Sequence, residues 1–296
     1  MDTILTTTGL TKHYGRIKAV EDLNLEITRG TVFGILGPNG SGKTTTLGMI
    51  LDVINKTSGS YTWFGETPTK EHRKNIGAIL ETPIFYPYLS ATKNLELVCD
   101  IKGVAYSRIA EVIAQVGLSG REGDKFRTYS LGMKQRLSIA SALLCNPEVM
   151  ILDEPTNGLD PQGIAAIREL IIEIAGSGKT IVLASHLLDE VQKVCTDFAV
   201  LKQGRLIYSG KVAEVSQGQE TVEVMAGEPL DNLLEEAGFI RSVKKGPDKY
   251  VLTLADGHGA TEVNKLLVDH GIIASHLVTV RKTLEKQFLE ILKESA

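Results

Sequence analysis

A glycine-rich stretch that ends in lysine and threonine contains the residues best suited to hold phosphate groups. It reads Gly37-Pro-Asn-Gly-Ser-Gly-Lys-Thr44, which is a glycine, four further residues and then Gly-Lys-Thr. Glycines permit tight turns that aim successive backbone N–H groups at phosphate oxygens. Lys43 would then reach the β and γ phosphates, and the Thr44 hydroxyl would face Mg²⁺. The spacing therefore predicts a phosphate-binding loop.

The segments on either side of this loop support that prediction. Residues 31–36 are apolar enough for a short buried strand entering the loop, and residues 45 to about 56 have the periodicity of a helix leaving it. The N-terminus of such a helix adds the positive end of its dipole. A glycine-rich strand-to-helix turn can be no more than a turn, but both flanks together with Lys-Thr favour phosphate binding.

Two acids and a histidine follow later strands. Residues 149–152 form a short apolar run closed by Asp153 and Glu154. Beyond a phosphate loop, Asp153 would hold Mg²⁺ through water, and Glu154 could orient or deprotonate a water near the terminal phosphate. Solvated acids at a strand end are the alternative. His186 ends a predicted strand over 180–185, where it is either structural or, at the ligand edge of a parallel sheet, a γ-phosphate contact.

Tyr14 lies between two predicted N-terminal strands, in Lys12-His-Tyr-Gly15. It either covers the sheet as a loop aromatic or offers a face on which a nucleotide base stacks. Alone, the residue favours the first interpretation. The nearby phosphate loop favours the second, because a nucleotide held by its phosphates also needs a partner for its ring.

Composition limits the class of protein. The chain has 296 residues, 43% hydrophobic and 23% charged, which suits a soluble protein with one large and one smaller domain. No apolar run approaches the roughly 18 residues of a membrane helix, and the first residues do not predict a secretory signal. Three scattered cysteines, Cys99, Cys145 and Cys195, favour reduced cytoplasmic thiols over a disulfide framework or a zinc site.

Charge argues against a nucleic-acid partner. The formal net charge is −4, and the sequence has no dense basic stripe. Lys244-Lys245 is better explained as a solvated surface pair than as a nucleic-acid site.

The order of predicted elements gives an α/β core domain over residues 1–216. Strands are predicted over 4–10, 23–27, 60–64 and 74–80, and the stretch of about 83–145 is predicted as a mostly helical insertion. The α/β pattern then returns with the helix 161–175 and a hairpin over 198–208. We therefore expect a mixed sheet core.

A second domain is predicted over residues 217–296. Its pattern is strand 220–226, helix 229–238, strand 239–245, strand 249–254, helix 259–270 and strand 272–280. This βαββαβ order predicts a small α+β domain of ferredoxin-like type. A closing helix is expected over 281–292.

Taken together, the motifs resemble those of the ATP-binding subunit of an ABC transporter, a P-loop NTPase, over about residues 3–215. The resemblance rests on five motifs in the family's order, which is more specific than the phosphate loop alone. They are Gly37–Thr44, Tyr129-Ser-Leu-Gly-Met-Lys-Gln-Arg136, Ile151-Leu-Asp-Glu-Pro155, Gly158-Leu-Asp160 and Ser185-His186.

The resemblance implies ATP and Mg²⁺ as cofactors and a role for each matching residue. Glu154 matches the catalytic carboxylate and His186 the switch histidine, while Thr44 and Asp153 match the metal ligands. Ser130 and Gly132 match the signature that contacts ATP held by the other subunit, and Asp160 lies in the D-loop. The residues matching the ATP site are Tyr14, Asn39, Gly40, Ser41, Gly42, Lys43, Thr44 and Thr45.

The resemblance also implies partners and a location. The expected engine is a head-to-tail dimer, of the chain with itself or with a paralogue, that closes on ATP and drives an integral-membrane permease. The chain would then be cytoplasmic and peripheral on the inner face of the membrane. A soluble ABC ATPase without a permease, or a nucleotide-binding switch without turnover, are the alternatives.

Two departures from the usual family pattern point to a branch. Leu131 and Met133 replace a Gly and the Gln of the common signature, and Glu81 stands where a glutamine is expected. Both features are similar to the bacitracin-resistance and lantibiotic self-immunity branch, which implies antimicrobial-peptide export or immunity. At this coupling position, Glu81 would add a carboxylate near the metal as well.

Overall fold

A six-stranded mixed sheet forms the centre of the first of two units, Met1–Val212 and Ala213–Ala296, into which the chain divides. The computed structural model describes residues 2–80, 84–216 and 220–281. The strands are β1 (Thr3–Tyr14), β2 (Ile17–Thr28), β3 (Val32–Leu36), β4 (Ser58–Trp63), β5 (Ile76–Ile79), β6 (Val149–Asp153), β7 (Thr180–Ser185), β8 (Asp197–Lys202), β9 (Arg205–Lys211), β10 (Glu220–Ala226), β11 (Ile240–Lys245), β12 (Tyr250–Leu254) and β13 (Ala274–Arg281). The helices are α1 (Lys43–Ile50), α2 (Lys70–Lys74), α3 (Ala91–Lys102), α4 (Ser107–Gln115), α5 (Leu131–Leu143), α6 (Pro161–Gly176), α7 (Leu188–Val194), α8 (Val212–Ser216), α9 (Asp231–Glu236) and α10 (Ala260–Asp269), with a 3-10 turn over Phe126–Thr128.

The order of the six strands is β5-β6-β7-β3-β8-β9, and every neighbouring pair is parallel except β8 with β9. In register, Leu36 at the end of β3 lies beside Ser185 of β7, and Asp153 at the end of β6 lies beside Ala184. The carboxyl ends of three neighbouring strands therefore meet at one edge. Open parallel sheets bind their ligands at that edge.

The three central strands are covered on both faces. Every residue of β3, β6 and β7 is buried, as expected for parallel strands that carry continuous apolar runs. The predictions of strands at 31–36, 149–152 and 180–185 are confirmed to within one residue. Their burial makes the sheet edge a rigid support for the loops that follow it.

A second sheet, in the order β2-β1-β4, packs its apolar side chains into the same core. Trp63 of β4 is fully buried, and its indole N–H donates to the carbonyl of Ile50, 2.8 Å away. β1 and β2 are longer than predicted, because their backbone pairing continues past the apolar residues to the exposed pair of Tyr14 and Ile17.

Helix α1 ends earlier than the predicted helix of 45–56. Asp52 has a φ of 62°, which is not helical, and the carbonyl of Gly48 accepts bonds from both Val53 and Ile54. Helices α7 and α2 were not predicted. Helix α2 ends at Lys74, which was predicted as the first residue of a strand over 74–80. The described part of the insertion, 84–145, is mostly helical as predicted. Among the described residues, no helix is both long and apolar enough to cross a membrane.

The second unit contains one antiparallel sheet with the strand order β11-β12-β10-β13 and the helices α9 and α10. Val222, Leu252 and Leu267 lie at the centre of its core. The βαββαβ order is the predicted one, while the assignment to the ferredoxin-like class stays a prediction. Of the predicted closing helix, Arg281 belongs to β13 and residues 282–292 lie outside the described part of the chain.

Candidate functional site

The phosphate loop connects β3 to α1, and its backbone leaves no room for side chains at two glycines. A Cβ on Gly37 would lie 2.3 Å from the carbonyl oxygen of Leu201, and one on Gly42 would lie 2.5 Å from that of Ala19. Gly42 also has a φ of 104°, in the region that favours glycine. The tight turn that the sequence predicts is therefore enforced by the neighbouring backbone.

Lys43 and Ser41 present polar groups inside this loop. Lys43 is 6% exposed, and its ammonium donates to the carbonyls of Gly37, at 2.8 Å, and Pro38, at 3.3 Å. The Ser41 hydroxyl is buried and finds no hydrogen-bond partner among the described residues. A buried unpaired hydroxyl costs about 1–3 kcal/mol. The loop therefore holds one ammonium and one unsatisfied hydroxyl where an anionic ligand would meet both.

Thr44 and Asp153 bring two oxygen ligands together. The Thr44 hydroxyl at the start of α1 donates to Oδ2 of the buried Asp153, 2.7 Å away. Magnesium prefers oxygen ligands and takes few from the protein when phosphates supply the rest. Among the described residues, no cluster of three His, Cys, Asp or Glu side chains could hold a metal alone. The Thr44–Asp153 pair therefore fits Mg²⁺ bound together with a nucleotide.

Glu154 lies between Lys43 and His186. Its Oε1 is 3.3 Å from the Lys43 ammonium, and its Oε2 is 2.8 Å from Nδ1 of His186. The backbone N–H of Glu154 donates to the carbonyl of Ala184 on the neighbouring strand. Glu154 has a φ of 49°, which a non-glycine residue keeps only when its surroundings hold it there. The ends of β6 and β7 together thus fix the Glu154 carboxylate beside the phosphate loop.

A cavity of about 400 Å³ opens over the phosphate loop. Six of its lining residues were predicted for the ATP site and one, Glu154, for catalysis. Four others were missed by sequence reasoning, because they reach the loop only through the pairing of β1 with β2 and the turn between β8 and β9. The predicted residues are Asn39, Gly40, Gly42, Lys43, Thr44, Thr45 and Glu154, and the missed ones are Ile17, Lys18, Ala19 and Gln203.

Tyr14 lies at the end of β1 rather than in a loop, and it is 46% exposed. Its strand partner is Ile17, which lines the cavity. The ammonium of Lys12 lies 4.7 Å from the centre of its ring. The ring therefore stands next to the cavity without belonging to its lining.

The signature residues and the D-loop aspartate line a separate cavity of about 430 Å³. Ser130 caps α5 by accepting from the N–H of Met133, and Asp160 caps α6 by accepting from the N–H of Gly163 at 2.9 Å. Gly132 lies in the same lining. The structure thus brings these three predicted residues together and separates them from the phosphate loop. Glu81 lies outside the described residues.

A phosphate loop, an acid pair and a histidine at one sheet edge define the site of a nucleoside triphosphatase. The profile of the family "ABC transporter" matches residues 20–157. Bacitracin transport ATP-binding protein BcrA of Bacillus licheniformis is 36% identical over 307 residues, covering 99% of this chain and 98% of the relative. Lantibiotic transport ATP-binding protein SrtF of Streptococcus pyogenes is 39% identical over 199 residues, covering 67% and 87%.

A solved structure agrees with the fold. The dimeric structure of the ATP-binding cassette MJ0796, in a post-hydrolysis state bound to ADP and Pi, superposes with a TM-score of 0.63 and 28% identity. It covers 71% of this chain and 99% of the cassette. The chain belongs to the family of ATP-binding subunits of ABC transporters, and as a member it binds and hydrolyses ATP.

Proposed function

We propose that this chain powers a separate membrane permease that exports, or gives immunity to, an antimicrobial peptide or a similar drug-like substrate. The observation that carries the catalytic part is the position of Glu154, between the Lys43 ammonium and the His186 ring. The substrate class is supported by the names of BcrA and SrtF, which are a bacitracin and a lantibiotic transport protein.

In the proposed reaction, the triphosphate of ATP lies along the phosphate loop. Lys43 exchanges its carbonyl contacts for β- and γ-phosphate oxygens, and the unsatisfied Ser41 hydroxyl donates to the phosphate chain. Glu154 orients the attacking water and accepts its proton, while His186 keeps the Glu154 carboxylate in place and contacts the γ-phosphate. Thr44 and Asp153 would hold Mg²⁺, which would offset the negative charge of the phosphates during hydrolysis.

We further propose a head-to-tail dimer in which Ser130, Gly132 and Asp160 contact ATP held by the other subunit. Two observations support this arrangement. The three residues share a cavity that is separate from the phosphate-loop cavity of the same chain. The related cassette MJ0796 was solved as a dimer with ADP and Pi. Purification of the tagged chain tests whether the second subunit is a copy of this chain or a paralogue.

The permease is proposed to dock on the helical insertion, at the inner face of the membrane. Several of its large apolar side chains face solvent, among them Ile84, which is 97% exposed, and Ile101, which is 85% exposed. Ile84 also lines a groove of about 200 Å³, together with Leu80 and Phe85. Exposed apolar clusters of this kind mark protein interfaces. Residues 217–296 are proposed as an accessory domain.

The first experiment replaces Glu154 with Gln in the purified protein. We expect ATP binding to be kept and phosphate release to fall by about 10²–10⁴-fold, the usual cost of losing a general base. Glu173→Gln, at an exposed position on α6, is the matched control and should keep the wild-type rate. Wild-type turnover by the Glu154→Gln protein would contradict the catalytic assignment.

The second experiment addresses coupling and substrate. We propose that Glu81 couples hydrolysis to the permease and adds a carboxylate near Mg²⁺. A glutamine donates and accepts hydrogen bonds, whereas an ionised glutamate only accepts. Glu81→Ala should keep ATP binding and lose most peptide resistance in cells, and Glu81→Gln should be milder. Full resistance of Glu81→Ala cells at normal expression would refute the coupling role.

Co-purification from membranes tests the partner itself. A polytopic membrane protein that purifies with the tagged chain supports the transporter subunit. Recovery of the chain with ribosomes, and with no membrane protein, would favour a soluble ABC ATPase instead.

A further inference from the structure

Beside the proposed site lies a glutamate carboxylate that the mechanism above does not use. Glu190 of α7 is 1% exposed. The Thr156 hydroxyl donates to its Oε1, and the Ser185 hydroxyl donates to its Oε2 at 2.5 Å. Thr156 and Ser185 are themselves buried. A buried carboxylate without hydrogen bonds costs free energy, so the folded protein keeps both contacts. The contacts in turn hold the two hydroxyls in fixed places.

The two hydroxyls flank the proposed catalytic pair. Thr156 follows Glu154 by two residues along the chain, and Ser185 comes directly before His186. The Ser185 hydroxyl also accepts from the N–H of Leu187 at 3.0 Å, so one hydroxyl joins both sides of the histidine. The Glu190 carboxylate therefore connects two strand-end segments that are distant in sequence.

Glu154 needs such support because of its backbone. Its φ of 49° is sparsely populated for a side chain of this size. Backbone hydrogen bonds hold Glu154 on two sides. Its N–H donates to the carbonyl of Ala184, and its carbonyl accepts from the N–H of Asn157. The bond from Thr156 to Glu190 restrains the turn between Glu154 and Asn157.

We infer that Glu190 is a positioning residue for ATP hydrolysis. Its carboxylate clamps Thr156 to Ser185 and so keeps the carboxylate of Glu154 at hydrogen-bonding distance from the His186 ring. This inference rests on the proposed roles of Glu154 and His186. Glu190 does not line the phosphate-loop cavity, so its removal acts on the chemical step and not on nucleotide affinity.

The test compares two variants of Thr156, one that lacks the hydroxyl and one that keeps it. Thr156→Val removes the donor to Glu190 with little change of shape, and Thr156→Ser keeps it. We expect Thr156→Val and Glu190→Gln to lower kcat on the order of 10–100-fold, as small misplacements of a catalytic group do, with KM changed by less than about twofold. Thr156→Ser should keep kcat within about threefold of the wild type.

A control on β7, the strand that ends in Ser185, removes a buried hydroxyl away from the site. Thr180, at the opposite end of β7 from Ser185, is fully buried and accepts from the N–H of Gly30. Thr180→Val should lower thermal stability about as much as Thr156→Val does and leave kcat unchanged. If Glu190→Gln does not fold, the Thr156 pair still decides the question.

A double variant separates positioning from general damage. When residues act as a unit, their effects do not multiply. In the Glu154→Gln background, Thr156→Val should therefore have no further effect on single-turnover hydrolysis of labelled ATP. A wild-type kcat for Thr156→Val, an equal loss in Thr156→Ser, or multiplying effects in the double variant would overturn the inference. A wild-type rate for Glu154→Gln alone would instead refute the proposed function.

Discussion

Nδ1 of the His186 ring lies 2.8 Å from Oε2 of Glu154, and the backbone N–H of His186 points at the same oxygen from 3.4 Å. The two residues are 32 positions apart in sequence, at the ends of the neighbouring strands β6 and β7. One carboxylate oxygen is thus held by the histidine, while the other lies beside the Lys43 ammonium. The two oxygens of the Glu154 carboxylate thus have different neighbours, which fixes the orientation of the carboxylate.

His186→Ala should leave this carboxylate held on one side only. We expect kcat for ATP hydrolysis to fall by about 10²-fold or more, the lower range for loss of a positioned catalytic group, with ATP binding kept. Steady-state phosphate release and equilibrium nucleotide binding measure the two effects. His270→Ala, in an exposed position of the second unit, is the control and should behave like the wild type. An unchanged rate for His186→Ala would assign the histidine a structural role.

Thr44→Val should raise the Mg²⁺ concentration needed for half-maximal activity. A hydrogen bond or ligand contact to a charged group is worth about 1.5–3 kcal/mol, which corresponds to about 10–100-fold in affinity. Thr44→Ser keeps the hydroxyl that donates to Asp153 and should need nearly the wild-type concentration. A magnesium titration of both variants measures this difference. Equal titration curves for the two variants would contradict the assignment of Thr44 as a metal ligand.

Tyr14→Ala should weaken ATP binding by about 1–3 kcal/mol if a base stacks on the ring. Tyr14→Phe and Tyr14→Trp should have small effects, because only the aromatic face is required. Tyr106, another half-exposed tyrosine, provides a matched control as Tyr106→Ala. Nucleotide affinity measured by calorimetry distinguishes the two interpretations. Equal affinity in all three Tyr14 variants would make it a surface aromatic.

Glu21→Gln should lower thermal stability in a pH-dependent way. Glu21 accepts hydrogen bonds from Lys18 and Arg205, which lower its pKa from 4.5 to about 2. Because the folded-state pKa is lowered, the stabilisation is fully present above pH 4.5 and is lost as the pH falls towards 2.

The Tm difference between wild type and Glu21→Gln should therefore be largest near neutral pH and shrink below about pH 4.5. Glu26→Gln, at an exposed position of β2, should show a smaller difference. A Tm gap that stays constant between pH 7 and acid would contradict the ion-pair explanation.

The sequence alone determined the features that adjacent residues encode. The phosphate loop, the strands that lead into it and into Asp153, and the strand before His186 are local patterns of burial and turn chemistry, which short-range sterics dictate. The five motifs in order also identified the family. Element ends were less accurate, as at α1, because the chain is stopped there by contacts of Gly48 and the unusual φ of Asp52.

Only the tertiary structure decided which distant residues meet. Thr44 and Asp153 are 109 positions apart and touch because parallel strands align their carboxyl ends at one edge. Ile17 and Gln203 line the cavity over the phosphate loop, because the antiparallel pairing of β1 with β2 and of β8 with β9 sets their places. Glu190 carries no motif that marks its role, because its two hydroxyl partners come from separate segments and meet only once the sheet has formed.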